Sequence, residues 1–129
     1  LGKKVRGWGV GAVLDELERL VEQDGVREIS FVDDVFTAIP RRTLALCEGM
    51  VERGLGLSWF CNARADQVNA KLADAMGRAG CHQVYLGMES GDPAMLKFIG
   101  KGAKLPTLER GAALLAAAGV NRSVGFVIG

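Results

Sequence analysis

The sequence predicts an α/β fold, namely part of a parallel β/α barrel with about four strands and its helices on the outside. Two observations support this prediction. Four strand-like apolar runs each end on small or polar residues, and a helical pattern that ends in glycine precedes each run. Chains that alternate helices and strands in this way form parallel sheets. The four runs cover residues 28–34, 57–64, 83–90 and 122–129.

The helices are predicted from apolar residues that fall on one helical face. In the first helix, over residues 10–23, these are Val10, Val13, Leu14, Leu17, Leu20 and Val21. Gly25 follows at the position where a left-handed residue ends a helix. The second helix has its apolar stripe at Leu44, Cys47 and Val51. The later helices repeat the arrangement. The second helix is predicted to end at Gly54, the third at Gly80 and the last at Gly119.

The connection after the third strand is longer and predicts an additional short helix. Asp92 is a plausible N-cap, Pro93 suits the first helical position, and Gly100 ends the helix. Pro106 lies at the start of the last long helix, where its missing N–H costs little.

Side chains along a strand point alternately to the two faces of a sheet. One set of alternate positions is bulky and apolar, as at Trp59, Val84 and Leu86, which suits packing beneath helices. A doubly wound sheet, covered by helices on both faces, would be apolar on both. The other set is mostly small or polar: Ser30, Val32, Asp34, Ser58, Phe60, Asn62, Arg64, Gln83, Tyr85, Gly87, Glu89, Ser123, Gly125, Val127 and Gly129. This face therefore predicts the inner wall of a partial barrel of the TIM type, lined for a ligand.

Composition excludes several classes of protein. A chain of 129 residues is one domain or part of one. The net charge of +1 and the lack of longer basic runs argue against binding to nucleic acid or to a membrane surface. No apolar stretch reaches the roughly 18 residues of a membrane span. Three widely spaced cysteines do not form a disulfide framework, which favours a cytoplasmic location. The first residue, Leu1, predicts that the chain starts inside a longer one.

Parallel α/β folds carry their ligand sites at the carboxyl ends of the strands. The two adjacent aspartates that end the first strand can accept hydrogen bonds from an ammonium group or bind a metal, and the alternative is that they cap a helix or face water. Arg64 can clamp a carboxylate, or it can form a structural ion pair with Glu89. Asp66 is expected to cap the helix that starts near Gln67. Together the strand ends predict one ligand site formed by Asp33, Asp34, Asn62, Arg64, Glu89 and Ser90.

The remaining reactive side chains favour structural roles. Cys47, Cys61 and Cys81 are expected to be small buried apolar residues, because their spacing fits neither a zinc motif nor a compact iron–sulfur motif. We therefore assign no metal ligand. His82 lies near the start of the third strand, away from the predicted site, which argues against histidine-based catalysis.

Several segments, in their order, resemble the radical S-adenosylmethionine (SAM) superfamily, nearest to its cobalamin-binding-type and methylthiotransferase-like branches. They are residues 28–37, 59–64, 79–91, 101–102 and 118–129. The resemblance implies that residues 1–129 form strands two to five of a six-strand partial barrel, the core domain of an iron–sulfur oxidoreductase. In that family a 4Fe-4S cluster cleaves SAM reductively to a 5′-deoxyadenosyl radical.

The resemblance also implies contacts to SAM. Asp33 and Asp34 would meet the methionine ammonium group, and Arg64 would meet its carboxylate. Glu89 and Ser90 match the segment that contacts the ribose. The segment whose backbone meets the adenine is matched by Gly125, Val127 and Gly129.

One feature of the family is absent from these 129 residues, the Cys-x-x-x-Cys-x-x-Cys loop whose thiolates hold the cluster. The cluster ligands are therefore expected in a longer parent protein, and the segment alone is expected to be inactive. The cobalamin-binding branch adds cobalamin as a candidate cofactor. The substrate is not encoded here.

Two other functions stay open at this point. The chain can be a non-catalytic scaffold or binding segment with a degenerate pocket, or an ordinary β/α-barrel lyase or hydrolase that uses Asp34 and Glu89. As partners we expect a small-molecule cofactor, with no nucleic acid and no membrane. Half a barrel has unpaired sheet edges and exposes Phe60, Tyr85 and Val127, so we also expect self-association.

Overall fold

The computed structural model describes residues 9–89, 94 and 105–126. The sheet contains four parallel strands in the order β1-β2-β3-β4, which confirms the predicted α/β class. Of the predicted short helix from Asp92 to Gly100, only Ala94 lies within the described residues, where it is helical. In chain order the elements are α1 (Val10–Asp24), β1 (Glu28–Phe31), α2 (Pro40–Glu52), β2 (Ser58–Ala63), a short 3₁₀ helix (Ala65–Gln67), α3 (Ala70–Arg78), β3 (Cys81–Glu89), α4 (Leu105–Ala117) and β4 (Asn121–Phe126).

One face of the sheet is buried beneath the helices, as the alternation of the sequence predicted. Trp59 and Val84 are fully buried there, together with Leu86, in one core with the apolar sides of the helices. The opposite face is open among the described residues. Phe60 is 43% exposed and Tyr85 is 49% exposed. We refer to this open side of the sheet as the concave face.

Glycines end the helices where a left-handed backbone is needed. Gly25 has φ +66° and its N–H bonds to the carbonyl of Leu20, which closes α1. Gly80 has φ +100°, and a side chain at this position would also collide with the carbonyl oxygen of Leu57. Gly54 and Gly119 also have positive φ, so the stops predicted for the long helices are confirmed. At Gly80 the close approach of the backbone adds a second requirement. The stop predicted at Gly100 lies outside the described residues.

Two local predictions are wrong. The N-cap of α3 is Asn69, whose Oδ1 accepts a hydrogen bond from the N–H of Leu72 at 2.8 Å. Asp66 instead lies in the 3₁₀ helix that separates β2 from α3, so it cannot cap α3. Val51 is 39% exposed, because α2 turns this end of its predicted stripe away from the core.

Two strand boundaries also differ from the predicted runs. β1 ends at Phe31, before the two aspartates, and β3 begins at Cys81. β3 contains an irregularity at its start: Trp59 pairs with Cys81, but Phe60 pairs with Gln83. His82 is therefore an extra residue, a β-bulge. It turns Cys81 into the buried core, whereas strict alternation would have placed Cys81 on the concave face with Gln83.

In the ranges given above, no helix combines the length and the apolar character needed to cross a membrane.

Candidate functional site

The loop between β1 and α2 is fastened to the carboxyl end of β2. The N–H of Phe36 donates to the carbonyl of Asn62 at 2.8 Å. The hydroxyl of Thr37 accepts from the N–H of Arg64 at 3.2 Å and donates to Oε1 of Gln67 at 3.0 Å. Thr37 is completely buried, so its hydroxyl has exchanged water for these two partners. The loop that carries the two aspartates is thereby held beside the end of β2.

Aromatic side chains pack against one another at the base of the same loop. Phe36 stacks on Phe31 with ring centroids 4.5 Å apart, and both rings meet the edge or face of Trp59. The hydroxyl of Thr43, in the first turn of α2, donates to the carbonyl of Phe36 at 2.7 Å. Nε1 of Trp59 donates to the carbonyl of Ala79 at 2.9 Å. Buried aromatic residues with satisfied polar atoms make a rigid support, so the loop is anchored at its base.

Asp33 and Asp34 both lie on the exposed part of this loop. Among the described residues neither carboxylate is in an ion pair, and both residues are exposed. Asn62, the next predicted site residue, is also exposed, one position before the end of β2. The structure therefore brings these three predicted side chains to one edge of the sheet.

Arg64, immediately after β2, forms a two-pronged ion pair with Asp66. Nε lies 3.0 Å from Oδ1, and Nη2 lies 2.8 Å from Oδ2. The hydrogen bonds that Arg64 donates to the Asp66 carboxylate raise the pKa of Arg64. A planar guanidinium held in this way is oriented, and it keeps further N–H donors for another acceptor. Asp66, which the sequence assigned to capping, is thus the partner that orients Arg64.

The other predicted site residues are only partly described. Glu89 ends β3 and pairs with Phe126 of β4, so its backbone lies at the same carboxyl edge. Its side chain, and the residues Ser90, Val127 and Gly129, lie outside the described parts. Gly125 lies within β4, and a side chain there would collide with the phenol group of Tyr85.

The three cysteines do not have the chemistry of cluster ligands. All three are buried, with Cys61 and Cys81 on the helix-covered face of the sheet and Cys47 on α2. Burial raises the pKa of Cys47 to about 12. A hydrogen bond with Cys81, followed by burial, raises the pKa of Cys61. Iron is bound by thiolates, whereas the raised pKa values of Cys47 and Cys61 keep these two thiols protonated. Cys61 and Cys81 lie on the side of the sheet opposite the candidate site. The described residues contain no group of side chains that could hold a metal ion.

A cleft of about 450 Å³ opens on the concave face. It extends from the amino ends of the strands, where Nε2 of His82 lies 3.1 Å from Oε1 of Glu28, toward Asn62. His82 does lie at the end of β3 predicted for it, but it faces this cleft. The lining residues are Glu28, Phe60, Asn62, His82, Gln83, Tyr85 and Ser123. The sequence placed Phe60, Asn62, Gln83, Tyr85 and Ser123 on the predicted inner wall, but it assigned only Asn62 to the ligand site.

Thr37 was also missed. A threonine after a polar loop is usually exposed, and no local pattern indicates burial. The sequence does contain a signal for the residues that line the cleft: Phe60, Gln83, Tyr85 and Ser123 all occupy the concave-face positions of the alternating pattern.

Comparison with known proteins gives consistent matches. The sequence pattern of the Radical SAM superfamily matches residues 4–129. An uncharacterised methyltransferase of Pyrococcus horikoshii is 43% identical over 101 residues, which cover 78% of this chain and 22% of that protein. Bacteriochlorophyllide d C-12(1)-methyltransferase of Chlorobaculum tepidum is 33% identical over 105 residues, which cover 79% of this chain and 23% of that protein.

Solved structures share the fold. The cobalamin-dependent S-adenosylmethionine radical enzyme OxsB, with aqua-cobalamin bound, superposes with a TM-score of 0.83 at 26% identity, over 95% of this chain and 20% of that one. The radical S-adenosylmethionine methyltransferase TsrM of Kitasatospora setae gives a TM-score of 0.82 at 22% identity, over 93% of this chain and 25% of that one, and supports the fold alone. The chain spans about a fifth to a quarter of these proteins.

Proposed function

This chain belongs to the radical SAM superfamily, and we propose on that basis that it is the central part of the core domain of a longer enzyme. That enzyme would cleave SAM reductively to a 5′-deoxyadenosyl radical. The family match covers residues 4–129, while the chain accounts for only 22% of the first curated relative. A segment of four parallel strands with an open concave face fits a middle portion of such a barrel.

The observation that carries this proposal is the bridge from Thr37 to Arg64. It joins the loop after β1 to the end of β2 through a fully buried hydroxyl. Two carboxylates without an ion-pair partner among the described residues and an oriented guanidinium consequently share one edge of the sheet. The amino acid end of SAM carries one ammonium and one carboxylate group, so these opposite charges suit it in kind and number.

We assign the residues as follows. Asp33 and Asp34 accept hydrogen bonds from the methionine ammonium group, and Arg64 donates to the methionine carboxylate from the N–H groups that Asp66 leaves free. Asn62, exposed between them, supplies an amide to the same ligand. The ribose is assigned to Glu89 and Ser90, and the adenine to backbone groups at Gly125, Val127 and Gly129. The absence of a side chain at Gly125 suits an approach to the backbone.

The 4Fe-4S cluster does not fit the residues present. The three thiols are buried on the helix-covered side of the sheet, and the pKa values of Cys47 and Cys61 are raised. In this proposal the cluster ligands belong to other parts of the longer protein. The role of the described residues is then to bind and orient SAM, and no electron-transfer step involves Cys47, Cys61 or Cys81. The 129-residue chain by itself would not cleave SAM.

We further propose methyl transfer, with cobalamin as an additional cofactor, for the whole protein. Two curated relatives at 43% and 33% identity are methyltransferases by name. OxsB, at 26% identity, is a cobalamin-dependent SAM radical enzyme. Groups outside this chain would bind the cobalamin, so this part of the proposal concerns the longer protein only.

The test measures 5′-deoxyadenosine formed from SAM under anaerobic, reducing conditions, using the longer protein after reconstitution with iron and sulfide. We expect product with the wild type and at least about a tenfold loss with Asp34→Asn, equivalent to about 1.4 kcal/mol of binding or activation free energy. Asp74→Asn, on the outer side of α3, is the matched control and should leave the rate unchanged. Undiminished deoxyadenosine formation by Asp34→Asn would contradict the site assignment. Metal-dependent lyase or hydrolase activity without SAM would favour the ordinary barrel enzyme instead.

A further inference from the structure

The bulge at His82 changes the chemistry of the concave face. Without it, the alternation would place one polar residue of this part of β3 on the cleft side. With it, His82 and Gln83 both line the cleft, and Cys81 is buried. Bulges that reorient side chains are frequent next to binding sites. Here the reoriented pair lies toward the amino ends of the strands, and the same cleft extends to Asn62 near the carboxyl end of β2.

Both reoriented side chains have specific partners. Nε2 of His82 contacts Oε1 of Glu28 at 3.1 Å, across the neighbouring β2. The side-chain amide of Gln83 donates to the hydroxyl of Ser123 on β4. These two pairs connect β3 to both outer strands and form a polar floor for the cleft. We call Glu28, His82, Gln83 and Ser123 the polar floor.

Two aromatic side chains stand above this floor. Phe60 is 43% exposed and meets the ring of His82 edge-on at 6.1 Å, and Tyr85 is 49% exposed beside Gly125. Both rings are exposed aromatic surfaces on the concave face, and they are suited to contact a flat unsaturated ring. The cleft volume of about 450 Å³ falls in the range of small-molecule sites.

The charge of the lining selects among such ligands. No Lys or Arg lines the described cleft, and Glu28 supplies a carboxylate that is more than half exposed. Gln83 keeps a free Oε1 acceptor after its amide group has bonded to Ser123. The floor therefore offers acceptors to a hydrogen-bond donor and would repel an anion.

We propose that the polar floor, with Phe60 and Tyr85, is a specificity-determining site that binds the substrate. The substrate class is a flat unsaturated ring that carries a neutral or cationic hydrogen-bond donor. This inference rests on the proposed function for the identification of the occupant as the substrate. The binding chemistry itself depends only on the cleft.

The test follows amide chemical shifts of the full chain by NMR during titration with indole, tryptamine and indole-3-acetate, without SAM or iron. We expect shifts at Phe60, His82 and Ser123. We also expect tryptamine to bind at least about fivefold more tightly than indole-3-acetate. The Glu28 carboxylate attracts the ammonium group of tryptamine and repels the carboxylate of indole-3-acetate. Equal affinities, or the absence of binding by all three probes, would overturn the proposal.

Two variants and their controls sharpen this test. Phe60→Ala should weaken binding of all probes by about tenfold, because the loss of an aromatic contact is uniform. Glu28→Gln should remove the preference for tryptamine while retaining indole binding. Two control variants change exposed side chains outside the cleft: Val51→Ala removes an apolar group and Asp74→Asn removes a carboxylate. Both should leave the affinity for the probes and the preference for tryptamine unchanged. Unchanged binding by Phe60→Ala, with its fold verified by circular dichroism, would refute the site.

These measurements are independent of SAM cleavage. If no deoxyadenosine forms but the probes bind as described, the proposed function fails and the cleft remains. If deoxyadenosine forms and the probes do not bind, the cleft inference alone fails.

Discussion

The buried hydroxyl of Thr37 accepts a hydrogen bond from the backbone N–H of Arg64 at 3.2 Å. The two residues come from different β/α units, 27 positions apart in the chain. Their bond therefore fixes how the loop bearing the aspartates lies relative to the residue that follows β2. This one contact links the stability of the fold to the geometry of the candidate site.

Replacement of Thr37 by Val should destabilise the chain. The isosteric side chain leaves the N–H of Arg64 and Oε1 of Gln67 without their partner, which costs about 1–3 kcal/mol. Urea denaturation measures this loss. Thr107→Val, at an exposed position of α4, is the matched control and should shift the free energy of unfolding by less than about 0.5 kcal/mol. Equal effects of the two substitutions would show that the bridge contributes nothing.

Replacement of Arg64 by Lys should raise the KM for SAM in the longer protein by about tenfold. Lysine retains the charge but cannot form the two-pronged pair with Asp66 while it donates to a carboxylate. Steady-state kinetics of deoxyadenosine formation give the value. Arg78→Lys, which changes an exposed ion pair on α3, should leave KM unchanged. A KM unaltered by Arg64→Lys would argue against a contact between this residue and the cofactor.

Stability should fall in alkaline solution because of the buried thiols. Burial raises the pKa of Cys47 to about 12, so the folded chain keeps a proton that the unfolded chain loses above about pH 8.5. The contribution of the protonated Cys47 thiol to the free energy of unfolding is therefore fully present below about pH 8.5, and it is lost as the pH rises toward about 12. Between these values the free energy of unfolding should decrease by up to about 1.4 kcal/mol per pH unit more in the wild type than in Cys47→Ala. Parallel pH profiles in urea denaturation would contradict the raised pKa.

Two glycine substitutions should act in opposite directions. Gly111→Ala would place a methyl group against the backbone of Ala65, and it should destabilise by about 1–3 kcal/mol despite the better helix propensity of alanine. Gly11→Ala, in the first turn of α1, meets no atom within 4 Å. It should stabilise by up to about 1 kcal/mol. Thermal unfolding of both variants distinguishes these signs, and a stabilised Gly111→Ala would disprove the close contact between α4 and the 3₁₀ helix.

Self-association remains a prediction for the 129-residue chain. β1 and β4 are the outer strands of the described sheet, and Phe60 and Tyr85 are exposed on its concave face. Analytical ultracentrifugation should give a mass above that of a monomer, and Phe60→Lys should lower it more than Val51→Lys does, because only Phe60 lies on the open face. A monomer at every concentration tested would refute this expectation.

The arrangement of the helices and strands was predictable because it depends on local, periodic signals. Apolar stripes gave the long helices, glycines with left-handed backbones ended them, and alternation separated the buried face from the concave one. The carboxyl edge of the sheet could also be anticipated, since parallel strands end together. Asp33, Asp34, Asn62 and Arg64 lie there as expected.

The details that failed depend on contacts between distant segments. The burial of Thr37 requires the end of β2 to lie against the loop after β1, which no local pattern encodes. The 3₁₀ helix shifted the N-cap from Asp66 to Asn69, because three additional residues separate β2 from α3. The bulge at His82 interrupts the period of two that assigns side chains to faces, and this bulge was not predicted. The expected burial of Cys81 is nevertheless confirmed.

The bulge in β3 also affects which positions of this protein can vary during evolution. Because His82 is the inserted residue, its side chain is not required on the helix-covered side, and Cys81 and Val84 fill the core on either side of it. Substitutions at His82 can therefore accumulate with little effect on folding while they alter the molecules that the concave face accepts. Related proteins with different substrates would then be expected to diverge at this position earlier than at its buried neighbours.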